Sequence, residues 1–240
     1  MKTKRPSRTN RAVLPAAGAL LAGLCLGVAP AQGSERAADP PEFDFSACPP
    51  VDEFPAEADP GTWRCEVMHA TGHLRMGRVD VPLTEPMKIT FAEGRVNGEF
   101  AQVFGGMKAA PVRVGRTPLT LTPQYGGYSD FESDDTRRGE FAIKFAVRPT
   151  HGLPVLPRGC SVGRDTAPIH LILKDTEPTR VISPNPLVVT FGAQDTEFTA
   201  PRTGGCGHLG RMLDHALGLP SASGANAFDM KVRVAIRPYE

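Results

Sequence analysis

Four cysteines, Cys48, Cys65, Cys160 and Cys206, are the residues of this chain best placed for covalent chemistry. Their spacing is nothing like the Cys-x2–4-Cys or Cys/His clusters of a zinc site. An even count in an exported chain reads as a disulfide framework. Three pairings are open. The reading favoured is Cys48–Cys65 with Cys160–Cys206, because each pair closes a segment that holds no other cysteine. In the chain-entropy account each link stabilises the fold by about 3 to 4 kcal/mol. His69 and His73 stand four apart, the spacing of a helical metal pair. Their surroundings read as a strand, which sets the rings about 13 Å apart unless the chain turns at Gly72. They are taken as surface histidines. The run Ser129–Asp135 carries four carboxylates, a calcium candidate by charge. It lacks the helix-loop-helix spacing, and Arg137 and Arg138 follow at once, so it reads as a solvated loop. Asp214 and His215 are adjacent on a candidate helix and point apart, so they do not form a base and its orienting partner. No Gly-x-Ser-x-Gly elbow, phosphate-cradling loop or dinucleotide fingerprint occurs. Enzymatic function is disfavoured, and no catalytic, cofactor-binding or metal-binding residue is assigned.

The compartment follows from the first 33 residues. Lys2, Lys4, Arg5, Arg8 and Arg11 precede an apolar stretch, Ala12–Val28, and then the small-residue sites Ala29-Pro30-Ala31 and Ala31-Gln32-Gly33. That order is a secretory signal peptide over 1–33. Pro15 and several glycines interrupt the apolar stretch, and it falls short of the roughly 18 residues of a spanning helix. Cys25 follows Leu24, where lipid attachment wants a small residue, so Cys25 is expected to leave with the leader. No later segment is long and apolar enough to span a bilayer. The localisation expected is secreted or cell-envelope associated.

The chain carries 27 Lys+Arg against 26 Asp+Glu. The leader takes five cations with it and leaves a charge of about −4, which gives no clustered basic footprint for nucleic acid. With 25 Gly and 24 Pro, the remainder is turn-rich and suits strands better than long helices.

Residues 34–47 are polar and proline-containing and read as a flexible lead-in. Strand signals follow from Trp63 onward. In Gly72–Leu83 the apolar phase shifts at Gly77, which suggests a bulge or bend within a strand. Met87, Ile89 and Phe91 alternate with polar residues. So do Phe141 to Val147, Ile169 to Leu173, Leu187 to Phe191 and Phe228 to Ile236, as half-buried strands do. Only Gly207–Gly218 breaks the period. Leu209, Met212, Leu213, Ala216 and Leu217 have helical spacing, with Gly218 as a stop, which predicts a short helix near 208–217.

Pro86–Phe91 resembles Pro186–Phe191, and the strand ending at Arg148-Pro149 resembles the one ending at Arg237-Pro238. The mature chain therefore reads either as one domain or as two duplicated halves, 48–150 and 151–240.

Leu156–Asp165, Pro168–Lys174, Gly204–Gly207 and Gly218–Ala225 together resemble a family of uncharacterised secreted proteins from actinobacteria. Cys48-Pro49, Cys65, the Gly72–Gly77 strand and Val81-Pro82 add to the likeness. Ile182–Pro186 departs from it, where the family tends to a longer threonine- and proline-rich run. The resemblance implies a secreted β protein with two local disulfides and implies no reaction.

The fold expected is all-β, a sandwich or barrel of about ten short strands with one short helix. The function expected is a non-enzymatic secreted or cell-envelope protein. It would bind an unknown ligand or envelope component through its Gly- and Pro-rich loops. Two alternatives stand beside it. A hydrolase with a dispersed triad predicts a cleft where a histidine meets a carboxylate and a hydroxyl. A carrier of an apolar or lipid ligand predicts an internal cavity of several hundred Å3.

Overall fold

The computed structural model of the chain describes residues 43–134, 136–150 and 155–239. The signal peptide read at 1–33, and residues 34–42 of the lead-in, lie outside them. The fold is all-β with one short helix. The strands are β1 (Arg64–Met76), β2 (Val79–Val96), β3 (Glu99–Lys108), β4 (Val112–Arg113), β5 (Leu119–Asp130), β6 (Gly139–Pro149), β7 (Ser161–Val162), β8 (Ile169–Pro184), β9 (Leu187–Asp195), β10 (Thr203–Gly204) and, after the helix α1 (Gly210–Leu217), β11 (Ala227–Pro238).

Antiparallel ladders join them in the order β3-β2-β1-β11-β9-β8-β6-β5-β4, with β7 on the later half of β6 and β10 on β7. The sheet curls until β3 and β5, which share no ladder, meet through side chains. Phe104 stacks on Tyr125 with ring centroids 3.7 Å apart. Gln102 donates to Ser129 Oγ at 2.9 Å and accepts from the Phe131 amide at 3.0 Å. Eight of the strands thus form the wall of a barrel. That number leaves an interior that side chains just fill, or that holds one small ligand.

Alternation decides which residues fill it. On β1, Met68, Ala70 and Leu74 point inward. Opposite them lie Ile89, Met87 and Val81 of β2, and Val234, Val232 and Phe228 of β11. All nine are buried. Each Val, Leu, Ile, Met or Phe so buried contributes about 1.5–3 kcal/mol. One end is sealed by α1, whose Leu213 and Leu217 join the core while Met212 stays exposed. Gly218 ends the helix at φ +70°, and the amide of Arg78 donates to Leu217 O at 2.8 Å. The Cys160–Cys206 disulfide fixes the approach to α1, and Cys48–Cys65 forms as well.

Several expectations need correction. Residues 43–47, read as flexible, are held against the barrel. Phe43 stacks on His69 at 4.5 Å, Phe45–Ala47 makes a 3-10 turn, and the Arg237 guanidinium lies 4.5 Å from the Phe45 ring. The strap continues through Phe54, stacked on Trp63, and Pro49, whose carbonyl accepts from Tyr239 Oη at 2.7 Å. It lies against the outward face of β1, which hides the alternation there, and Val67 on that face is buried. Gly77 is no bulge. It starts the β1–β2 turn at φ +59°, and a Cβ there would sit 2.5 Å from Leu217 O. A tight turn inverts the apolar phase just as a bulge does. The true bulge sets Thr71 opposite Thr84–Pro86. Several strands are long rather than short, and prolines lie inside them. β2 runs 18 residues through Pro82 and Pro86, where β3 does not reach its free edge.

Residues 48–150 and 151–240 build one sheet, since β1 pairs with β11 and β6 with β8. The repeated motifs take non-equivalent places. β9 and β11 are ladder neighbours, whereas their counterparts β2 and β6 are not.

Candidate ligand-binding site

Away from α1 the inward positions change character. Beyond Met68 the next inward residues of β1 are Glu66 and Arg64. Glu66 lies opposite Phe91 and Ile236, and Arg64 lies opposite Glu93. A cavity of about 880 Å3 opens here. Met68, Phe91, Val189, Phe191, Val234 and Ile236 supply much of its apolar wall. The volume falls in the range of small-molecule sites, which combine such walls with a few placed polar groups.

The polar groups form one cluster. Arg64 donates from Nε to Glu66 Oε1 at 2.7 Å and from Nη2 to Glu93 Oε1. Glu66 and Glu93 are only 8% and 7% exposed, while Arg64 reaches partly into solvent. Burial drives the Glu66 carboxyl up to about 7. The neighbouring Glu93 adds to the rise, and Arg64 opposes it without cancelling it.

The wall beside this cluster is built from a strand that changes partners. β8 pairs with β6 only from Ile169 to Leu173, and from Lys174 onward it pairs with β9 instead. Arg138 bridges the gap this leaves. Its guanidinium donates to both Asp175 oxygens, at 2.6 and 2.7 Å, and lies 4.6 Å from the Phe191 ring centroid. Bidentate geometry makes this a firm clasp between two strands that share no ladder there.

The sequence candidates fall elsewhere. His69 is buried beneath Phe43, with neither ring nitrogen bonded among the described residues, and burial lowers its pKa. It is therefore not a surface histidine. His73 lies farther along β1 and meets Asp80 at 2.9 Å on the surface. In the acidic loop Asp134 accepts from the Thr136 hydroxyl and from the Thr136 and Arg137 amides, which hold its carboxyl down to about 2, and Arg137 also meets Asp130 and Glu140. Asp214 is buried and accepts from the Thr203 amide and hydroxyl at 2.7 and 2.8 Å, so it fastens β10 to α1. Among the described residues no three His, Cys, Asp or Glu side chains converge to hold a metal, and no helix is long and apolar enough to cross a membrane.

Sequence reasoning missed Arg64, Glu66 and Glu93. The signal was parity. Two charged residues share the face of β1 that carries Met68, Ala70 and Leu74. Comparison with family models, curated proteins and solved structures finds no match.

Proposed function

We propose that this protein is an exported carrier that holds one amphipathic molecule inside its barrel. The carrying observation is the 880 Å3 cavity, whose apolar wall ends at a buried charged cluster. An alkyl or isoprenoid chain occupies the wall between Met68 and Phe191, and the ligand's head lies at Arg64, Glu66 and Glu93. The cavity moves the reading from the loops, favoured by the sequence, to the barrel interior. A dispersed-triad hydrolase has less support, because among the described residues no histidine lines this cavity. The leader and the two disulfides support action in a secreted or envelope setting. The likeness to uncharacterised secreted proteins agrees with that setting and adds no reaction.

Binding of N-phenyl-1-naphthylamine tests the proposal, since its fluorescence rises in an apolar site. The wild-type protein should enhance it saturably. Val189→Trp places an indole in the cavity from a half-buried position near the mouth, and should abolish the enhancement while leaving the circular-dichroism spectrum intact. Equal enhancement by the two proteins refutes an interior site.

A further inference from the structure

We infer that the head group this cavity accepts is a cation, an alkylammonium or a similar amine-bearing amphiphile, seated against Glu66 and Glu93. The inference rests on the carrier reading and specifies its ligand. Two carboxylates, on side chains only 10% exposed, share one guanidinium. Arg64 reaches one oxygen of each. Glu66 and Glu93 stand close enough to hydrogen-bond to each other, and both side chains line the cavity. A buried carboxylate without a full complement of donors and countercharge is costly. One positive group brought in by the ligand removes that deficit.

The surroundings do not supply it. Glu57, Asp59 and Glu132 are the other acids lining the cavity, and Arg95 and Arg138 the other bases. Arg138 is committed to Asp175, and Arg95 donates to the carbonyl of Gly98 at 2.7 Å. The lining carries five carboxylates against three guanidinium groups, and a cationic head meets the two buried carboxylates directly. With no cation present a proton takes its place on Glu66, in keeping with the raised affinity of that carboxyl for protons. Ligand binding then displaces the proton.

The test compares three ligands with one chain length: decyltrimethylammonium, decanol and decanoate, titrated calorimetrically at pH 8 against the full exported protein. The permanent charge of the first removes any titration of the ligand itself. Expected is a preference for the cation over the anion of at least about tenfold, with decanol between them. Binding of the cation should weaken as the pH falls from 8 to 6. In Glu66→Gln, and independently in Glu93→Gln, the cation-to-anion ratio should narrow to within about threefold. Decanol or decanoate binding as tightly as the cation overturns the inference and leaves the carrier reading standing. If none of the three binds and N-phenyl-1-naphthylamine is also ignored, both fall.

Discussion

Replacing Glu66 by Gln should change how the stability of this barrel depends on pH. Glu66 ionises near pH 7 in the folded chain, against an ordinary value of 4.5 once unfolded. Each pH unit of that gap corresponds to about 1.4 kcal/mol. Ionising Glu66 therefore costs the fold at most about 3 kcal/mol. The sign follows from proton binding. Between pH 4.5 and 7 the folded state holds this proton more tightly than the unfolded state, so stability falls as pH rises through that window and is level above it. The amide of Gln does not titrate, keeps the shape of the side chain, and still accepts from Arg64. Groups outside the Arg64–Glu66–Glu93 cluster titrate alike in both proteins and cancel in the comparison. Urea unfolding of the oxidised protein at pH 5 and pH 8 reads the effect. Relative to wild type, Glu66→Gln should gain up to about 3 kcal/mol between those conditions. Given the size of the domain, that corresponds to roughly 6–12 °C in Tm. Parallel stability curves for the two proteins would refute the claim that this carboxylate is buried against its will.

Three further outcomes follow from local geometry. His69→Phe removes two buried ring nitrogens that lack partners, each costing about 1–3 kcal/mol, and keeps the stack on Phe43. It should raise Tm, and more at pH 5 than at pH 8, because a histidine whose folded pKa is depressed loses stability as pH falls below its unfolded value. A lower Tm at both pH values contradicts this. Gly94→Ala sets a methyl 2.5 Å from the buried Trp63 ring, and overpacking of that kind costs about 1–3 kcal/mol. Thermal denaturation should show the loss, and an unchanged Tm would mean that the strap yields freely. Cys160→Ala with Cys206→Ala opens a link between residues 46 apart and should cost about 4 kcal/mol, against about 3 kcal/mol for the link between Cys48 and Cys65, which lie 17 apart. Urea unfolding of the two double variants checks the order.

Much of the framework was readable from local patterns. The alternation of Phe228 to Ile236 lies in β11, and the spacing of Leu213 and Leu217 lies in α1. Each cysteine pair closes its own segment. What stayed hidden depends on contacts between distant residues. The meeting of Phe104 with Tyr125, which closes the barrel, leaves no trace in either strand's own pattern. The change of partners along β8 is equally silent, since alternation reports one buried face but never which neighbour is bonded. The strap over β1 buries the outward Val67 as well as the inward Met68, so the strand containing Glu66 lost the pattern that would have flagged a charge on the core side. His69 looked superficial for the same reason, because Phe43 covers it from a segment that reads as polar lead-in.

Methyl chemical shifts followed by NMR during titration with decyltrimethylammonium test the interior site most directly. The account predicts saturable shifts at Met68, Val189, Val234 and Ile236 around the cavity, with Leu213 and Leu217 at the sealed end unmoved. Shifts confined to surface methyls such as Val155 and Val181, or none at saturating ligand, would contradict it.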